Sequence, residues 1–273
     1  MDPRYLIVVS EQDPVAPTVA EAWGTPVSTG LTVEGTPIRD LGGGVYLLRR
    51  PGLHIRDERF DRLLPGPFSA VTVPLVVPSV HRSDSQTACW TVHPIGNPGP
   101  EAEVGGVPSE LVPTAPRLMT AALRALHEER ASAGLGVTFE ATHHGPSVEH
   151  PAFFVEIGWG DTGGPPAAAV AALGRVLPRL APDDSDRLAV GIGGGHYAPH
   201  FTELALERRW SLGHILSRHA LERTTPGVLR QALERTPGAE GFLFARASDA
   251  ELPPLQGLAA RLRDSGAARR RTD

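Results

Sequence analysis

Two short stretches gather the side chains best suited to hydrolysis: Thr142-His143-His144-Gly145-Pro146 and Gly191-Ile192-Gly193-Gly194-Gly195-His196-Tyr197-Ala198-Pro199-His200. Each follows an apolar run that reads as a strand, and open α/β sheets place their ligand crevices beyond the C-terminal ends of strands. Imidazole changes charge near neutral pH, so it serves as a general base or, when neutral, as a metal ligand. Adjacent side chains on extended backbone point opposite ways, so His143 and His144 can act together only if the loop turns; otherwise one of them serves the core or a second shell. Gly193, Gly194 and Gly195 let backbone approach a ligand closely and can offer N–H groups to an anion or a developing oxyanion. This run has neither the Lys-Ser/Thr ending of a phosphate loop nor the glycine spacing of a dinucleotide fingerprint, so no nucleotide cofactor is expected.

Carboxylates near these histidines are the natural general bases, orienting groups or additional metal ligands. Glu140, Glu149, Glu156 and Glu203 qualify, with Glu156 and Glu203 the foremost candidates. Glu140 and Glu156 fall inside strands, where a charge must be partnered or face a crevice. His93 and Asn97 lie where a strand, Thr87 to Val92, gives way to a Gly/Pro-rich loop over residues 97 to 108, a length often tied to function. His81 and His93 read equally as solvated loop residues or as part of the site, whereas His54, His127, His150 and His219 read as surface. Thr142, Tyr197, His81, His93, Asn97 and Gly193 to Gly195 are the candidate substrate contacts.

The elements that must position these residues form an α/β pattern. Strands are expected at 5–9, 45–48, 71–77, 87–92, 137–141, 153–157, 187–192 and 241–245, and helices at 15–23, 116–133, 167–176, 226–235 and 255–263. The proline inside 71–77 favours an edge strand or a bulge, and a short helical stretch is expected between Trp210 and Ala220. This alternation predicts a mixed, largely parallel sheet flanked by helices, in a single domain over residues 1–268. Residues 24–66 read as loop-rich, and the basic tail, 269–273, as frayed. The strands ending at 141 and 192 are expected to be neighbours in a parallel sheet, bringing His196 and at least one of His143 and His144 into one pocket.

Composition narrows the function classes. The chain has 273 residues, 41% of them hydrophobic and 21% charged, as in ordinary globular proteins. Its one cysteine, Cys89, excludes an intrachain disulfide and Cys-rich zinc modules, so any metal needs His and carboxylate ligands. The first apolar run is too short for a signal peptide and reads as a strand of a cytoplasmic protein. No run approaches the roughly 20 residues needed to span a bilayer. A net charge of −5 argues against nonspecific coating of nucleic acid, though not against a local basic face built from its arginines.

Four motifs together resemble the archaeal-type D-aminoacyl-tRNA deacylases in order and spacing: Thr-Val-His-Pro-Ile-Gly-Asn at 91–97, Phe-Glu-Ala-Thr-His-His-Gly-Pro at 139–146, Phe-Val-Glu-Ile-Gly at 154–158 and Gly-Gly-Gly-His-Tyr-Ala-Pro at 193–199. The likeness runs from about residue 66 to 220 and departs from the family at His200, where a basic Arg or Lys is expected. It implies an α/β fold similar to that of peptidyl-tRNA hydrolases, and hydrolysis of the ester joining a D-amino acid to the terminal adenosine of tRNA. It also implies zinc, held by His143 or His144 together with His196. Without metal, one histidine is the general base, oriented by Glu156 or Glu203, and the glycine-run N–H groups hold the oxyanion. The partner is aminoacyl-tRNA, and the chain a monomer or small homo-oligomer. The competing readings are an esterase acting on N-blocked aminoacyl- or peptidyl-tRNA, and a noncatalytic tRNA-binding module.

Overall fold

The computed structural model describes residues 2–81, 88–160, 163–207 and 209–245. In chain order these build β1 (Tyr5–Ser10), α1 (Ala16–Glu21), β2 (Val27–Val33), β3 (Thr36–Gly42), β4 (Val45–Arg50), β5 (Leu75–Val80), β6 (Cys89–Pro94), α2 (Pro116–Ala133), β7 (Gly136–Phe139), β8 (Ala152–Gly158), α3 (Ala167–Val176), β9 (Arg187–Ile192), α4 (Pro199–Glu207), β10 (Trp210–Leu216), α5 (Arg218–Leu221), α6 (Pro226–Glu234) and β11 (Phe242–Phe244). The helix expected at 255–263 and the basic tail lie outside the described residues.

Eight strands form one sheet in the order β2-β3-β4-β1-β5-β8-β6-β7, and three form a second, β10-β9-β11. β1 pairs in parallel with β4 and β5, β5 with β8, and β6 with β7, while β6 runs antiparallel to β8. All six residues of β1 and all seven of β8 are buried. That is why both read as apolar runs, broken in β8 only by Glu156: helices or loops cover both faces of a parallel sheet. Tyr5, Ile7, Val9, Phe153 and Val155 pack with α1, α2 and α3 on one face; Leu6, Val8, Leu75, Val77 and Phe154 pack on the other. α2 begins at Pro116, a residue suited to a first helical turn, and ends at Gly134 in left-handed backbone (φ +69°), which only glycine adopts freely.

Three expectations fail in the fold. Residues 24–66 hold more than loops and the expected strand at 45–48: β2 and β3 join it, as β4, in an antiparallel meander that extends the sheet beyond β1. β2 and β3 are largely exposed or half-buried and separated by turns, so they lack the apolar runs that betray the interior strands, whereas the buried β4 follows the expected strand at 45–48. The strand expected at 71–77 starts later, at Leu75, and is interior rather than an edge. Pro74 precedes it, and the β1 ladder ends at the Ile7–Val76 pair, so Pro78 lies past that ladder. Finally, the stretch after Trp210 is a strand, β10, parallel to β9, followed by the short α5.

β10 hides its identity because Gly213 and His214 interrupt its apolar run, although all seven of its residues are buried, the polar Ser211 and His214 among them. Ser211 donates to Asp186, and the His214 ring bonds the Thr142 hydroxyl at 3.1 Å and the Val112 carbonyl at 3.0 Å. Burial pushes the His214 pKa down to about 3, so the folded ring is neutral while an unfolded one titrates near 6.5. The unfolded chain therefore binds the extra proton between these values: stability is full above about pH 6.5 and falls as pH drops. Between pH 7 and 5 this one group is expected to cost about 2 kcal/mol. Denaturant unfolding of His214→Gln at both pH values should show a slope shallower by that amount; equal slopes would refute the assignment.

Candidate active site

The histidine pair follows β7 on a segment stitched on both sides. Gly96 N–H donates to the His144 carbonyl (2.8 Å), Ala141 N–H to the His196 carbonyl (2.8 Å) and Thr142 N–H to the Ile215 carbonyl (2.7 Å). Glu140 and Tyr197 form an isolated bridge. β7 and β9 therefore lie in different sheets, contrary to the expected parallel neighbours, and β10 and this bridge bring their ends together. His144 turns the chain with left-handed backbone, φ +42°. That turn puts both rings into one space, with centroids 4.4 Å apart, and the rings of His143 and His196 lie 4.7 Å apart.

His93 completes the group. Its ring centroid is 4.0 Å from that of His143 and 5.0 Å from that of His144. In all three rings Nδ1 faces a backbone carbonyl: Pro94 at 3.2 Å for His93, Ala141 at 2.8 Å for His143 and Gly145 at 2.7 Å for His144. An Nδ1–H donated to a carbonyl leaves the Nε2 lone pair of a neutral ring for a ligand, which is how metal-binding histidines are commonly oriented. Burial, reinforced by the neighbouring histidines, drives the His143 pKa well below its ordinary value, and burial and His93 bring that of His144 to about 4. Both rings are therefore neutral at physiological pH.

Two buried carboxylates back the histidines. Glu140 Oε1 lies 3.3 Å from His196 Nε2 and 3.4 Å from His81 Nδ1. Glu156 Oε2 lies 3.2 Å from His81 Nδ1, and its Oε1 lies 3.5 Å from His93 Nε2. Burial would raise the Glu156 pKa, but contacts with His81 and His93 outweigh it and hold the carboxyl well below its usual range. Burial lowers and Glu156 raises the pKa of both His81 and His93, with a net rise. The Tyr197 hydroxyl closes the network at 2.9 Å from His81 Nε2.

These side chains fit a metal ion. Candidate ligand atoms of His93, His143 and His144 lie within 4.8 Å of one another, and so do those of Glu140, His143 and His196, and those of His81, Glu140 and Glu156. Both Glu140 oxygens and His93 Nε2 are buried with no hydrogen-bond partner among the described residues. Buried polar atoms held by charge contacts alone, short of a full hydrogen bond, are costly unless a proton, cation or ligand meets them. A proton on His93 and a metal at His93 are alternative answers to the same Glu156 charge.

The other candidates divide. His81 and His93 are buried parts of the network rather than solvated loop residues, and Glu140 belongs above Glu203, which is exposed on α4 and in none of the three clusters. Asn97 is buried and donates to the carbonyls of Gly105 and Val107, so it shapes its own loop. The Thr142 hydroxyl accepts from Ile215 N–H and bonds His214, so it fastens the histidine loop to β10. Gly193 N–H is taken by the Leu216 carbonyl, which leaves Gly194 and Gly195 as the glycine-run donors. His54 and His150, expected at the surface, are buried; His54 bonds Ser79 at 3.0 Å and His150 bonds Asp61 at 2.8 Å.

Comparison with known proteins gives the chain a family. The D-aminoacyl-tRNA deacylase family matches residues 70–252. A D-aminoacyl-tRNA deacylase of Thermoplasma acidophilum is 40% identical over 178 residues, 63% of this chain and 67% of that protein. Another, of Hyperthermus butylicus, is 35% identical over 206 residues, 72% of this chain and 74% of its own length. A third, of Methanosarcina mazei, is 36% identical over 204 residues, covering 72% of this chain and 66% of its own. The crystal structure of a conserved protein of unknown function, AF0625, superposes with a TM-score of 0.80 at 25% identity, covering 97% of this chain and 93% of that one. The matched segment carries the entire histidine and carboxylate network, and the chain belongs to the D-aminoacyl-tRNA deacylase family.

Proposed function

We propose that this pocket hydrolyses the ester linking a D-amino acid to the end of tRNA, with zinc held by His93, His143 and His144. The observation that carries the reading is the set of three imidazoles whose Nδ1 atoms face backbone carbonyls, beside Glu140 and the half-exposed His196. Zinc bound there would supply Lewis-acid stabilisation of charge developing on the ester. His196, at the open side of the site, takes the proton of the attacking water and returns it to the ribose oxygen as the tetrahedral intermediate collapses and the acyl C–O bond breaks. Glu140 orients its ring and stabilises the imidazolium that results. N–H groups of Gly194 and Gly195 meet the oxyanion. His81 and Glu156 hold Tyr197 and His93 in place behind the reacting centre. His196 is thus assigned to base work, and the metal set differs from the sequence expectation by taking His93 in its stead.

Among the described residues no helix is long and apolar enough to cross a membrane. The proposed partner is aminoacyl-tRNA, the proposed setting the cytoplasm. The test is release of D-tyrosine from D-tyrosyl-tRNA before and after chelator treatment, with N-acetyl-D-tyrosyl-tRNA alongside. The free-amine substrate is expected to turn over, with loss of about 100-fold or more on chelation and recovery on adding zinc. Turnover of the N-blocked substrate alone would select a peptidyl-tRNA type of esterase. Binding without turnover would select a noncatalytic module.

A further inference from the structure

The histidine loop is held from a third side by a segment that precedes the family match. Glu58 spans two loops with one carboxylate: Oε1 accepts Gly106 N–H at 2.6 Å and Oε2 accepts Ser147 N–H at 2.5 Å. Three residues on, buried Asp61 accepts the N–H groups of Glu149 and His150 and the His150 ring. Arg59 N–H donates to the Ser147 carbonyl at 2.8 Å, so backbone and side chains of residues 58–61 grip the run that follows His144.

The bridged backbones are in direct contact. A Cβ at Gly145 would fall 2.2 Å from Gly106 N, and one at Gly105 would fall 1.7 Å from the Ile55 carbonyl oxygen. Gly145 N–H also donates to the Val104 carbonyl at 3.1 Å. His144 therefore sits at the end of a stack running from residue 55 through 105–106 to 145, and the Glu58 side chain joins Gly106 of that stack to Ser147.

We propose that Glu58 is a positioning residue for the deacylation site: by joining Gly106 to Ser147 it fixes the angle at which His143 and His144 enter the pocket. This rests on the deacylase reading above. Small misplacements of reacting groups can cost up to about 100-fold in rate. An exposed acid near a polyanionic substrate would, by contrast, act through charge and alter KM.

The test compares wild type, Glu58→Ala and Glu58→Gln for kcat and KM on D-tyrosyl-tRNA, and for amide exchange at Gly106 and Ser147. In Glu58→Ala, kcat is expected to fall about tenfold or more with KM within about threefold, and both amides to exchange about tenfold faster. Glu58→Gln keeps the size and one acceptor oxygen and should fall between; it decides the matter if the alanine variant does not fold. Unchanged kcat, a change confined to KM, or a fall in kcat with unaltered exchange would each overturn the proposal. Wild type without deacylase activity would instead overturn the function, while the exchange rates would still show whether Glu58 ties the two loops.

Discussion

Replacing His143 with alanine is expected to lower kcat/KM for D-aminoacyl-tRNA by about 1,000-fold, the combined scale of losing a metal ligand and disturbing a general base. His143 alone belongs to both the all-histidine cluster and the one containing Glu140 and His196, and its ring touches those of His93, His144 and His196. Its backbone stays anchored by the bridge to Ile95 and the neighbouring hydrogen bonds, none of which needs the ring. Circular dichroism should thus match wild type while turnover and zinc content both fall. A variant within tenfold of wild type would place the chemistry elsewhere.

His196→Ala is expected to lower kcat by about 100-fold, the scale for removing a general base, while leaving zinc content near that of wild type. The side chain is 49% exposed on a loop and contributes little to the core, so the unfolding midpoint should barely move. The contrast with His143 is the informative part. If His196→Ala instead loses zinc and retains turnover when zinc is supplied in excess, His196 is a ligand and the base lies elsewhere. Near-normal turnover without excess zinc would return His196 to a structural role.

The helices with clean punctuation were legible in the chain: α2 between Pro116 and Gly134, and α3 at Ala167–Val176. So were the interior strands, whose apolar runs reflect burial on both faces. β10 was not, because Gly213 and His214 interrupt its apolar run and its polar side chains are satisfied only by Asp186, Thr142 and Val112, distant in sequence. The histidine pair and His196 were legible as chemistry, but the turn at His144 that makes the pair converge is a backbone property of a residue type that seldom adopts it. Glu140 could have been ranked higher, since a carboxylate between the buried Phe139 and Ala141, just past the end of β7, needs a reason to be there. Glu58 could not, because its partners, Gly106 and Ser147, lie 48 and 89 residues away and show no side-chain signature.

The most direct measurement is the ratio of single-turnover rates on D-tyrosyl-tRNA and L-tyrosyl-tRNA with the zinc-loaded wild-type protein. The D-ester is expected to be cleaved at least about 100-fold faster, the discrimination one well-fitted site can supply. Equal rates on the two enantiomers would contradict it and make the pocket that of a general esterase.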